Sequence, residues 1–304
     1  MLLQESILKT IAYFDLFNFP LTREEIFSYL WQGVDIDFGK VCATLDELIS
    51  SKKIEYKESF YFLPGREENV VFRNRAAAEG ERKLRRARLA AWLIRNIPFL
   101  EAVFVCNSVA GETSKPNSDI DFFVVGKPNR LWFVRFFSNL ILKIFGIRTG
   151  RNSSADKICL SFYVDHDHLN LSGLRIVAED IYMVYWLRQL YPVYDQKNIL
   201  KKIHLENSWV RDYILLQETL PGVSRDKNIL KKILEYLLSG SLGDRCEKFL
   251  KNFQFSKLRP ELLKMADLAD NRVVIGDTIL KFHETDARLS IYERWKINCK
   301  KYVE

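Results

Sequence analysis

The feature that most constrains this chain is a pair of short apolar runs bracketing two acids. One run is Val103 to Cys106 and the other is Phe122 to Val125. Both are too short for helices, apolar throughout, and rich in β-branched and aromatic residues, which predicts buried strands. Between them lie a polar turn holding Asn107, Ser108 and Gly111, and then Asp119-Ile120-Asp121. Side chains alternate along a strand, so Asp119 and Asp121 are expected on one face. Two carboxylates there repel each other unless a cation sits between them. A divalent metal with oxygen ligands, most often magnesium, answers that need.

These residues resemble the DNA polymerase beta-like nucleotidyltransferase superfamily. Its pattern is an apolar residue, Gly, then Gly or Ser, a gap, and Asp-x-Asp or Asp-x-Glu with apolar flanks. Ser108 fills the serine position, ten residues separate it from Asp119, Ser118 suits the place before the acids, and Asn107 stands where glycine is usual. Asparagine enters left-handed backbone conformations more readily than most residues, which keeps the turn feasible. The resemblance covers Glu101 to Val164. It implies an α/β nucleotidyltransferase core in which Asp119 and Asp121 hold Mg2+ or Mn2+. Asn107, Ser108, Gly111 and Ser118 would bind the nucleotide, and a nucleoside monophosphate would pass from a nucleoside triphosphate to an acceptor hydroxyl.

The superfamily normally adds a third carboxylate from a neighbouring strand. Lys157 to Val164 reads as that strand, with Lys157, Cys159, Ser161 and Tyr163 on one face and Ile158, Leu160, Phe162 and Val164 on the other. Neither face holds an acid. Asp165, at the strand end, is therefore the candidate third metal ligand. The alternative is that two carboxylates remain, in a catalytically inactive nucleotidyltransferase fold that binds a nucleotide or a partner. Asp165-His166-Asp167-His168 has the composition of a metal cluster, but histidines two apart on a turn are expected to be incidental.

Before this core, apolar residues recur at helical spacing from Leu2 to Phe17, Thr22 and Glu25 form a capping-box pattern, and Asp37 to Ser51 is amphipathic. Ile54 to Tyr56 and Phe60 to Leu63 then read as two strands joined by a tight turn. Three helices and a two-stranded ribbon resemble a winged helix, which implies a possible DNA-binding regulator as a further alternative. The third helix, however, offers only Lys40 against Asp37, Asp46 and Glu47. Attraction to phosphate would be weak, so nucleic acid is not the favoured partner.

Arg66 to Ile97 is predicted to be one charged helix, with Arg82, Lys83, Arg85, Arg86 and Arg88 as a basic stretch on a solvated face. Arg130 to Ile147 is expected as a buried helix, and Arg148 to Asp156 as a basic surface loop. From Val177 onward the pattern is mostly helical. Lys197-Asn198-Ile199-Leu200-Lys201-Lys202-Ile203 recurs at Lys227 to Ile233, but two copies do not make a solenoid. Lys281 and Arg288, seven apart, are read as part of a solvated helix with internal ion pairs, or else as the wall of a cleft closing over the metal site. The expected division is a winged-helix-like unit at 1–65, a nucleotidyltransferase-like unit at 66–195 and a helical C-terminal unit at 196–304.

The chain's 304 residues are 48% hydrophobic and 28% charged, with a net charge of +7. That is ordinary globular composition, and the mild basicity permits phosphate contact without requiring it. Five scattered cysteines with no Cys-x-x-Cys pair suggest neither a zinc site nor a disulfide framework. Free thiols, no secretory pattern and no bilayer-length apolar run predict a cytoplasmic protein with no membrane partner.

Overall fold

A computed structural model describes residues 2–33, 36–150, 154–216, 228–268 and 271–303. The chain opens with α1 (Leu3–Asp15), α2 (Arg23–Ser28) and α3 (Phe38–Ser50), followed by β1 (Glu55–Lys57) and β2 (Phe60–Phe62). Thr22 and Glu25 form the expected capping box at α2, and Asp37 caps α3 through the amides of Gly39 and Lys40. The two-residue turn Glu58-Ser59 takes positive φ at both positions, which suits the twist of the antiparallel β1–β2 hairpin. Lys57, the one lysine of that turn region, is paired with Glu67.

The long α4 (Glu68–Ile94) leads into a six-stranded mixed sheet. Next come β3 (Leu100–Cys106), α5 (Asn107–Ala110), β4 (Ile120–Gly126), α6 (Leu131–Ile144), β5 (Ile158–Asp165), α7 (Ile181–Gln189), β6 (Tyr191–Asp195) and α8 (Ile199–Glu206). The C-terminal part supplies α9 (Ile229–Leu237), α10 (Ser241–Phe255), α11 (Pro260–Ala266), β7 (Val273–Ile275), β8 (Ile279–Phe282) and α12 (Arg288–Tyr302). The sheet order is β6-β3-β4-β5-β8-β7, with β4 and β5 parallel and the other pairs antiparallel.

Two apolar cores cover the sheet's two faces. Ala102, Phe104, Phe123, Val125 and Phe162 face a layer built from the N-terminal helices, α7, α8 and α12. Val103, Val105, Phe122, Val124 and Tyr163 face α4, α6 and residues of α10. This burial on both sides is why the central strands read as unbroken apolar runs. The first core joins residues from all three expected units, so they share an interior.

The C-terminal unit is not wholly helical. Val273 to Phe282 folds as a hairpin that extends the sheet, with Gly276 and Ile279 closing a two-residue turn over Asp277-Thr278. Lys281 therefore sits on a strand and Arg288 at a helix start, rather than together on one helix. The basic stretch of α4 is also more than a solvated face. Lys83 is fully buried, and Arg82 and Arg86 pair with Asp156 at the end of the expected basic loop. Arg151, Asn152 and Ser153 of that loop, and Lys227 of the repeated heptapeptide, lie outside the described residues. Among the described residues, no helix is long and apolar enough to cross a membrane.

Candidate metal centre

The two acids meet where β3, β4 and β5 end together. Asp121 lies in register with Cys106 on β3 and Cys159 on β5. One ligand atom each from Asp119, Asp121 and Cys159 lies within 4.8 Å of the others, the one such group among the described residues. Neither carboxylate has an ion-pair partner among them.

Local backbone devices aim this group. Asn107, the first residue after β3, takes φ 55°, the left-handed conformation its residue type tolerates. Its Oδ1 accepts hydrogen bonds from Tyr182 Oη at 3.1 Å and from the Trp186 indole N–H at 3.0 Å. An indole N–H can only donate, so the amide oxygen of Asn107 must face it and the amide nitrogen is left for Asp121. On β5, two residue steps of β4 (Asp121 to Phe123) oppose three (Cys159 to Phe162), a bulge. The expected strict alternation therefore fails after Ser161. Cys159, Ser161 and Phe162 all line the same cavity, while Tyr163 turns to the opposite core and bonds Ser138.

Burial pushes the Asp121 carboxyl up to about 6, and the neighbouring charge of Asp119 adds to this. Hydrogen bonds from Asn107 and Cys159 oppose the rise. Burial also raises the Cys159 thiol to about 12, again assisted by Asp121, so the thiol stays protonated near neutral pH. Beneath the acids, the ammonium of Lys83 donates to Lys115 O, Ser118 O and Ser118 Oγ at 2.6, 2.6 and 2.7 Å. That buried lysine pins the turn that delivers Asp119.

Two cavities meet at Asp121. The larger, of about 430 Å³, is walled by Phe162, Trp186, Lys281, His283 and Arg288. The smaller, of about 280 Å³, is lined by Tyr13, Phe17, Ser108, Gly111 and Gln189. Asn107, Asp121, Tyr182, Trp186 and Ile291 belong to both. Arg288 donates to Asp286, to Asp180 Oδ2 at 3.1 Å and to Leu174 O at 2.8 Å. Those bonds with Arg288 hold the Asp286 carboxyl at about 2 against the cost of its burial. Burial lowers the Lys281 ammonium to about 8, and the Lys281 chain bonds Asn271 O and Asp286. Burial likewise lowers His283 to about 4, and its neutral ring bonds Ser161 Oγ at 2.9 Å.

Asp119 and Asp121 thus come together, and Asn107, Ser108 and Gly111 line the smaller cavity beside Asp121. Ser118 is bonded to Lys83 and lines neither cavity. Asp165 is not brought to the group. It pairs with Gly126 at the other end of β4, while Asp121 pairs with Cys159. Six residues of strand separate the two places, about 20 Å. Asp165 accepts from the Asp167 amide and from His168, whereas His166 bonds Glu101, so the Asp-His-Asp-His run is split between two carboxylates. Cys159, Tyr182, Trp186 and Lys83 carry roles that sequence reasoning did not assign. The only advance signal was Cys159, two residues before Ser161 on an expected face without acids. Compared with protein-family models, curated proteins and solved structures, the chain matches none.

Proposed function

We propose that this chain is a metal-dependent nucleotidyltransferase, moving a nucleoside monophosphate from a nucleoside triphosphate to an acceptor hydroxyl. The observation that carries the reading is the convergence of Asp119 and Asp121 beside two cavities, with no cationic side chain paired to either among the described residues. Two close carboxylates with spare lone pairs suit a hard divalent cation, which commonly takes one or two protein carboxylates and completes its shell from water and phosphate. The donor set fits Mg2+ or Mn2+ through Asp119 and Asp121. Such an ion, when bound, would neutralise phosphate charge and lower the pKa of an attacking hydroxyl.

The chain's own residues do the rest. Asn107 orients Asp121, and Lys83 fixes the loop that presents Asp119. Lys281 and Arg288 give the larger cavity a cationic wall for a polyphosphate, although Asp180 and Asp286 already offset much of that charge. Phe162 and Trp186 offer aromatic surface where a base could lie. Ser108 and Gly111 place small groups against the second cavity, leaving room beside Asp121 for the other reactant.

A panel of labelled nucleoside triphosphates with Mg2+ or Mn2+, read as released pyrophosphate, tests this directly. Turnover lost in both Asp119→Ala and Asp121→Ala supports the reading, and undiminished turnover in both defeats it. One observation favours the inactive alternative: a protonated thiol, Cys159, stands third in the group, and among the described residues no third carboxylate joins it. Calorimetry showing nucleotide binding without turnover would select that alternative.

A further inference from the structure

We propose that the outward faces of α9 and α10 dock on an anionic lipid surface. The argument begins with a heptapeptide that occurs twice. In α8, Ile199, Leu200 and Ile203 are 1%, 6% and 0% exposed, as an amphipathic helix packed on a core requires. In α9 the same residues, Ile229, Leu230 and Ile233, are 72%, 64% and 49% exposed. The second copy is turned inside out. Its Lys231 is buried, donating to Arg95 O, Leu100 O and Tyr194 Oη, and its Glu235 binds the Phe99 amide and Lys127. The polar groups hold α9 to the body, and the side chains suited to a core face solvent.

Helix α10 repeats the arrangement. Glu247 accepts from the amides of Trp132 and Phe133, and Asp244 pairs with Arg130, while Leu242, Phe249 and Phe253 stand exposed. Arg130 also donates to Leu238 O and Ser239 O, and a side chain at Gly243 would meet Leu238 O at 1.8 Å. The joint between the two helices is therefore clasped tightly, and their orientation is fixed. All three acids of α9 and α10 are engaged with the protein body. What remains outside is apolar side chains interleaved with Lys232, Arg245 and Lys248, which are exposed, and with Asp244, whose exposed carboxylate is taken up by Arg130.

Charge complementarity selects the occupant. Protruding aliphatic and aromatic side chains among three exposed cations, with the one exposed acid, Asp244, already paired to Arg130, match an interfacial helix on a bilayer of anionic headgroups. The chain's net charge of +7 adds long-range attraction. A second copy fits poorly, because a two-fold contact would set these cations against their own images. Surface docking needs no spanning helix. Moreover, α10 packs on α6 in the layer opposite the cleft, so a docked molecule keeps its candidate metal centre open to solvent.

The test is co-sedimentation of the full chain with phosphatidylglycerol–phosphatidylcholine vesicles and with pure phosphatidylcholine vesicles. The expected result is binding to the anionic vesicles only, weakened at least tenfold by added salt, by Lys232→Glu with Lys248→Glu, and by Ile229→Gln with Ile233→Gln. Because these positions are exposed, the variants should keep the wild-type melting temperature. In a Tyr236→Trp variant, the added indole should be quenched by brominated anionic lipid. Absence of wild-type sedimentation, equal binding by the charge-reversed variant, or no quenching would overturn the proposal. Concentration-dependent dimerisation, or capture of an acidic protein, abolished by the Gln variant while vesicles go unbound would also overturn it, assigning the face to a protein partner instead.

Discussion

The central strands β3, β4 and β5 together carry acids near both ends, and the ends differ in how those acids are matched. At the far end, Glu101 is nearly fully buried, with Lys197 Nζ at 2.7 Å and the His166 ring on its two oxygens. Asp165 is buried too, accepting from His168 and from a backbone amide. Both of these buried carboxylates have their donors. At the near end, Asp119 and Asp121 lie close together beside a thiol, and Asp121 is left with an amide and a thiol as donors. Folding that pair is unfavourable by itself, since like charges are concentrated in a partly dry place. The lesson is that acid content does not mark a site. An imbalance that the fold leaves uncorrected does, because a perturbed carboxylate in a cleft is a candidate for work on a ligand.

The largest expected contrast is in activity. On the proposed function, Asp119→Asn or Asp121→Asn should lower nucleotidyl transfer by about a thousandfold, as loss of several kcal/mol of metal-borne stabilisation requires. Glu101→Ala should leave the rate per folded molecule unchanged. Steady-state pyrophosphate release on all three variants breaks the comparison if Glu101→Ala is the most impaired.

Stability should show the reverse ranking. Removing Glu101 leaves Lys197 and His166 without their shared anion, which should cost about 2 kcal/mol, because both partners keep some solvent. Asp121→Asn should instead stabilise the metal-free protein by about 1 kcal/mol at pH 7, since it removes a carboxylate that burial disfavours. Urea denaturation read side by side distinguishes the two ends.

The pH dependence sharpens the point, because two acids of the cleft are shifted in opposite directions. Asp121 is raised to about 6, so its ionisation weakens the metal-free fold as the pH climbs from about 4 to 6. The gain from Asp121→Asn should therefore vanish below pH 4. Asp286 is lowered to about 2, so it contributes stability above pH 4 that is lost as the pH falls toward 2. Asp286→Asn should thus destabilise the protein at pH 7, and the difference should shrink in acid. Thermal melts across this range, with chelator present, would measure both.

The smallest effect concerns Cys159. Replacing it with Asp puts a third carboxylate where a protonated thiol now stands, and Mn2+ affinity should rise severalfold, as added ligand charge generally provides. Calorimetry showing weaker Mn2+ binding in Cys159→Asp would mean that the thiol position does not face the ion.

These contrasts also mark what could be read from sequence. The strands around Asp119 and Asp121 were legible because both of their faces are buried, and so was the left-handed Asn107, because few residues accept that backbone. The bulge in β5 was not. One extra residue there cancels the period-two rule, so Cys159 and Ser161 join Phe162 on the cavity side, whereas Asp165 sits at the opposite end simply because it is the last residue of the strand. Lys281 and Arg288 were weighed by helical spacing, because the pairing of Lys281 with Phe162 on β5 is a long-range matter. Tyr182 and Trp186 lay in the stretch after Val177 whose pattern read only as mostly helical. That their polar tips reach Asn107 depends on how α7 crosses the sheet, which no local pattern encodes.

The central claim is that Asp119 and Asp121 share a cation while the acids at the other end of the same strands do not. Titration of Mn2+ into the full chain, followed by the paramagnetic signal of the free ion, tests it most directly. The account predicts one site in the wild type, lost in Asp119→Asn and in Asp121→Asn and retained in Asp165→Asn. A wild-type chain that binds no Mn2+, or a site removed by Asp165→Asn and kept in the other two, would contradict it.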